Sequence, residues 1–128
     1  TDARYDLASM QAASGQWEAA AGEFREVVAE RPDDTKAWQH LVEVLALWGD
    51  DLAKSGQYEA AAARYREALA YHKADPGLHM GLGAVLARLG KLGEAQAQFE
   101  EALRLDPNFE QARQALATVR KLAGEGGK

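Results

Sequence analysis

The chain contains no cysteine, which excludes disulfides and thiolate metal sites and leaves the compartment open. It has only three prolines and few β-branched residues, so little in it favours strands or interrupts helices. No apolar run approaches the ~20 residues that a membrane span requires, and no secretory leader is visible. Lys and Arg total 15 against 20 Asp and Glu, and no basic stripe forms. Nucleic acid is therefore not an expected partner, since phosphate contact needs concentrated positive charge. Catalytic signatures are missing as well. His40, His72 and His79 make no His-x-x-x-His pair, and Ser9, Ser14 and Ser55 have no evident base. The glycines of "GLGAVLARLG" follow no strand, so the dinucleotide reading fails on context. No catalytic, cofactor or metal residue is expected, and the chain reads as non-enzymatic.

What is present is helix-forming sequence in repeating lines. The 128 residues are 47% apolar, enough for one domain with a core, and Ala, Leu, Glu, Gln and Arg dominate, all strong helix formers. An all-α fold follows. "SGQWEAAAGEF" at 14–24 returns as "SGQYEAAAARY" at 55–65 and, looser, as "LGKLGEAQAQF" at 89–99. In the third copy Leu78, Leu82, Val85, Leu86 and Leu89 recur at helical spacing. Gly90 ends that helix, and a second helix runs from about Leu92 to Leu105 until Asp106-Pro107 stops it. The first copy places Leu7 and Met10 on one helix, Gly15 at the turn, and Trp17, Ala20, Phe24, Val27 and Val28 on the next. In the second copy, Tyr58, Ala61, Tyr65, Ala68 and Leu69 line a helix, and Asp75 with Pro76 opens another. A last amphipathic stretch, from about Phe109 to Leu122, turns Ala112, Leu116 and Val119 inward and keeps Gln111, Gln114, Arg120 and Lys121 outside, as a solvating cap does. Ala20, Ala61 and Ala95 mark close helix crossings, with Phe24, Tyr65 and Phe99 filling the space one turn later. A larger residue at those alanines would cost ~1–3 kcal/mol in overpacking.

This pattern resembles the tetratricopeptide repeat, a helix-turn-helix unit of about 34 residues. The third copy supplies His79, Leu82, Gly83, Leu86, Ala95, Phe99, Ala102 and Pro107 at the family's positions. The first supplies Leu7, Ala8, Ala20, Phe24 and Pro32 but departs at Arg4, Gln11 and Val27. The second supplies Trp38, Leu41, Leu45, Ala61, Tyr65 and Ala68, with Lys73 where proline is usual. The resemblance implies a right-handed α-solenoid of antiparallel helix pairs with about seven helices. The expected organisation is a single domain over 1–123, with repeats at 1–34, 35–75 and 76–109, a capping helix at 109–123, and a flexible tail at 124–128. A start at Thr1 and the glycine-rich end fit a segment of a longer protein.

One irregularity interrupts the repeats. Gly15 to Gly56 spans 41 residues, whereas Gly56 to Gly90 spans 34. The seven extra residues fall in the first helix of repeat 2, where Trp38, Leu41, Leu45, Trp48 and Leu52 keep a 3, 4, 3, 4 spacing. Seven residues are nearly two turns, so the expectation is one continuous helix from about Thr35 to Lys54. A break at Gly49, with a loop over 50–55, is the competing reading. Helix B of repeat 2 is expected to gain about three residues before Pro76 and so cover part of the overhang. That overhang, with Trp38 or Trp48 near its surface, reads either as a docking platform or as local core packing.

In the family the first helices of each pair line a concave groove that receives an extended or helical peptide. Carried over by position, the groove is Tyr5, Ser9 and Ala12, then Lys36, Gln39, His40, Glu43 and Leu47 reaching toward Asp50. Gly77, Met80, Gly81, Ala84 and Arg88 continue it, followed by Gln114 and Thr118 in the cap. One subgroup grips a partner's terminal carboxylate with Lys, Asn and Arg. The matching places here hold Tyr5, Ser9, His40, Gly77 and Gly81, so that clamp is absent. Gly77, Gly81 and Ala84 suggest an open floor beside the adaptable Met80, suited to an amphipathic helix or apolar peptide. Close helix packing is the competing explanation for Gly81 and is accepted for Gly83. The expected function is a non-catalytic protein-interaction module. Homo-oligomerisation and a targeting or scaffolding role within a larger enzyme or assembly factor are the alternatives.

Overall fold

A computed structural model describes residues 2–126, with side chains for 6–12 and 14–124. Its elements are α1 (Asp2–Ala13), α2 (Trp17–Glu30), α3 (Thr35–Lys54), α4 (Tyr58–Tyr71), α5 (Pro76–Arg88), α6 (Leu92–Leu105) and α7 (Glu110–Gly126), with no strand among the described residues. Each helix packs on its neighbours in sequence, and α3 also touches α5, as α5 touches α7. The result is a stack of helical hairpins around one spine.

Local chemistry sets the helix ends. Within each pair the turn residue is a glycine at φ +80°, at Gly15, Gly56 and Gly90. No atom crowds the space where a Cβ would sit, so the left-handed backbone, not lack of room, selects glycine there. The glycines complete a six-to-one cap: Gln16, Gln57 and Lys91 donate their amides to the carbonyls of Gln11, Leu52 and Leu86 at 2.8, 2.9 and 2.9 Å, satisfying helix-end acceptors. Asp34 caps α3 by accepting from the Ala37 amide at 3.1 Å. Asp75 caps α5, accepting from Gly77 and Leu78 at 2.9 and 3.3 Å, with Pro76 at the first helical position.

The spine is built as the repeats imply. Ala20, Ala61 and Ala95 are fully buried, and Phe24, Tyr65 and Phe99 nearly so. Each ring is received by a first helix of the stack. A Cβ on Gly83 would lie 2.6 Å from the Phe99 ring, and one on Gly49 or on Gly81 would lie 2.9 Å from the Tyr65 ring. Phe24 stacks on His40, with ring centroids 5.7 Å apart and planes 10° from parallel.

The seven extra residues acquire their meaning from these docking points. On α5 the ring of the preceding pair lands at Gly81 and the ring of its own pair at Gly83, two residues apart. On α3 the corresponding points are His40 for Phe24 and Gly49 for Tyr65, nine residues apart. The seven-residue difference corresponds to ~10 Å along the axis. Helix α3 is thus continuous through Lys54, as expected, and α2 and α4 are staggered along it instead of lying level. The break at Gly49 does not occur. That glycine is buried under Tyr65, whose hydroxyl donates to the Asp50 carboxylate. Burial first, and then the charge and hydrogen bond of Asp50, push the Tyr65 hydroxyl pKa well up.

Two expectations are corrected. Helix α4 gains no residues: α2, α4 and α6 are each 14 long. Pro76 opens α5 and is not the counterpart of Pro32 and Pro107, which lie in turns, so no extension of α4 covers the overhang. The cap helix continues to Gly126, taking in residues assigned above to a tail; 127 and 128 lie outside the described residues. Leu7 and Met10 are 45% and 69% exposed, because they face the edge of α1, where no further helix pair stacks among the described residues.

Candidate binding groove

A recess of about 290 Å³ lies between α1 and α3. Its floor is the Phe24–His40 stack, its walls are Ser9 and Ala12 on one side and Val44 and Leu47 on the other, and Trp17 closes one end. Among the described residues Glu43 is the only formally charged one lining it, and Leu47 stands 40% exposed beside it. The helical repeat explains the set. Residues 40, 43, 44 and 47 fall on one face of α3, where Trp17 and Phe24 of α2 meet them.

The structure brings five of the predicted groove residues together here: Ser9, Ala12, His40, Glu43 and Leu47. Ala84 and Arg88 line a separate recess of about 220 Å³ with Ala53, Lys54 and Tyr58. Gln39 sits in a third, of about 200 Å³, beside Trp38, Val42 and Tyr71. Lys36 is exposed, Met80 packs half-buried on the core, and Gln114 is exposed on α7, donating to Glu110 at 3.5 Å. The side chain of Tyr5 lies outside the described residues. Gly81 offers no open floor, because the Tyr65 ring occupies the space its missing side chain leaves. Sequence reasoning missed Trp17, Phe24 and Val44 as lining residues. Phe24 is buried and read as spine, Val44 is buried but was singled out by no pattern, and Trp17 belongs to a second helix.

Both ends of the stagger are filled by tryptophan. Toward the start of α3, Trp38 packs on Tyr71 with centroids 5.1 Å apart, and its indole N–H donates to the Pro32 carbonyl at 2.8 Å. Toward the end of α3, the Arg64 guanidinium lies 4.6 Å over the Trp48 ring, a cation–π contact. A recess of about 540 Å³ opens there, where the overhang passes the start of α2. Trp17, Trp48, Glu18 and Asp51 line it.

An ion pair ties α2 to α4 across α3. Arg25 donates from Nε and Nη2 to both oxygens of Glu67, at 2.9 and 2.6 Å, and the Tyr71 hydroxyl donates to Glu67 at 3.2 Å. Burial pushes the Glu67 carboxyl up. The Arg25 hydrogen bonds and charge, with Tyr71 and Arg64, outweigh that and hold it below the usual carboxylate range. Among the described residues, no cluster of three or more His, Asp or Glu is positioned to hold a metal, and no helix is long and apolar enough to cross a membrane.

The arrangement defines a class: an α-solenoid of stacked antiparallel hairpins whose rings dock on small residues of the neighbouring helix. Family models described as tetratricopeptide repeat match residues 1–44 and 46–108, and the chain belongs to the tetratricopeptide repeat family. No curated protein matches the chain closely. Solved structures of the same fold include the first such domain of Spaghetti (RPAP3) bound to the HSP90 peptide SRMEEVD. It shares 16% identity over 95% of this chain and 91% of that one, with TM-score 0.69. The second such domain of human RPAP3, in complex with the HSP70 peptide SGPTIEEVD, shares 22% over 91% and 92%, with TM-score 0.65. The corresponding domain of Sgt2 from Aspergillus fumigatus shares 16% over 98% and 80%, with TM-score 0.65. At these identities the likeness is one of fold.

Proposed function

We propose that this chain is a protein-interaction module that holds an apolar segment of a partner protein in the concave recess between α1 and α3. The observation that carries this reading is the recess itself: an aromatic floor and aliphatic walls beside an exposed Leu47, with one carboxylate at the rim. Burying a leucine-sized side chain there is worth ~1.5–3 kcal/mol, the scale of an anchor in a peptide complex. Peptide-bound relatives of the same fold support the reading. Their peptides end in acidic residues, whereas this recess presents Glu43, so a different peptide chemistry is expected here. The test is calorimetric titration of a leucine-rich amphipathic peptide against the parent and a Leu47→Glu variant. Leu47 is exposed, so the fold should survive, with an unchanged circular dichroism spectrum and affinity reduced at least about tenfold. Equal affinity for both proteins would remove the recess from consideration.

Self-association is the second reading, favoured by the exposed Leu7 and Met10 on the edge of α1. Light scattering over a concentration series, with Met10→Glu as comparison, separates it from peptide binding.

A further inference from the structure

The recess at the overhang lies beside the groove, with Trp17 lining both. It exists because α3 runs past the start of α2: Trp48 and Asp51 project from the overhanging turns, opposite Trp17 and Glu18. Its chemistry differs from that of the groove. Two indoles and two carboxylates line it, and together with Glu43 next door every formally charged residue lining the two recesses is acidic among the described residues.

We infer that this recess receives a cationic side chain, arginine or lysine, from the same partner segment whose apolar residue fills the groove. The inference deepens the groove reading and rests on it for the path of the partner. Indole faces attract cations through their quadrupole, and guanidinium is the commoner partner. Arg64 over Trp48 shows such a contact already made within the chain. The opposing charges are smaller or engaged. The start of α2 contributes roughly half a positive charge, against two full carboxylates. Arg64, at 3.4 Å, and Arg25, which also feels Glu18, share the one Glu67 carboxylate, so the three groups leave one net positive charge, fewer than the two carboxylates of the recess. Lys54, one turn past Asp51, lines a different recess, with Ala84 and Arg88. The site therefore selects a basic segment, opposite in charge to the peptides of the solved relatives.

The three tryptophans make the test direct. Indole N–H signals are followed by nuclear magnetic resonance at fixed ionic strength, together with the Leu47 methyls. The probes are an amphipathic peptide of alanine, leucine and arginine, its citrulline-for-arginine twin, and arginine amide alone. Trp38, near the start of α3, is the internal control. The expected result is movement of the Trp17 and Trp48 signals with the arginine peptide and with arginine amide, while Trp38 stays still. Affinity should fall about tenfold for the citrulline peptide, and this preference should vanish in Glu18→Gln/Asp51→Asn, both exposed positions. If the Leu47 methyls respond equally to both peptides and Trp48 stays still, the cation site is overturned and the groove reading stands. If Trp48 responds selectively to arginine while the Leu47 methyls are silent, the cation site stands and the groove reading fails. No response, or equal movement of all three indoles, overturns the cation site.

Discussion

Removing Val42 to Trp48 brings His40 and Leu41 directly before Gly49, which reproduces the order Gly81, Leu82, Gly83 of α5. The two ring-docking points then lie two residues apart, and α2 should slide level with α4. The seven-residue cut preserves the helical face to within about 20°, so the new spine is geometrically feasible. One residue prevents it. Asp51 would fall where Val44 stands in the parent, 4% exposed next to Trp17. Its counterpart on α5, Val85, is 3% exposed. In the parent, Asp51 is exposed because the overhang carries it past α2. Burying an unpaired carboxylate costs several kcal/mol or forces it to protonate. The deletion alone should therefore lose ~3–5 kcal/mol, and adding Asp51→Val should recover at least ~2 kcal/mol of that. In the full-length protein the same Asp51→Val change should stay within ~0.5 kcal/mol. Urea unfolding followed by circular dichroism measures all four proteins. If Asp51→Val has the same effect in both backgrounds, Asp51 does not move under α2, and the staggered packing deduced from the ring-docking points is wrong.

Other outcomes follow from the same contacts. Gly83→Ala should lower stability by ~1–3 kcal/mol despite alanine's better helix propensity, because its Cβ would meet Phe99 at 2.6 Å. Gly22→Ala, also in a helix but with no atom within 4 Å, should raise stability by ~0.5–1 kcal/mol, and thermal melts should show the two moving in opposite directions. Glu67→Gln should cost about 1 kcal/mol at neutral pH, a modest figure because Arg25 is partly exposed. Since the folded-state pKa of Glu67 is lowered from 4.5, its contribution is present above that value and lost as pH falls through the lower folded value. The parent and Glu67→Gln should therefore converge in acid melts, and a gap that widens toward low pH would refute the assignment.

Sequence alone determined most helix boundaries, though not the ends of α4 and α7, and why they fall where they do. Glycines impose the turns at 15, 56 and 90, Asp75 caps α5, and the alternation of alanine with a ring one turn later marks the spine. Even the continuity of α3 was legible, because a seven-residue insertion keeps its apolar stripe in register. Five residues that position alone singled out, Ser9, Ala12, His40, Glu43 and Leu47, line one recess. The tertiary structure decided what periodicity cannot: which neighbour covers each face. Gly81 looked open until Tyr65 arrived from α4 to fill it, and Phe24, read as spine, also lines a recess. A helical pattern records the direction of each side chain around its own axis, but the axial offset between packed helices comes only from the pairing of rings with the small residues that receive them.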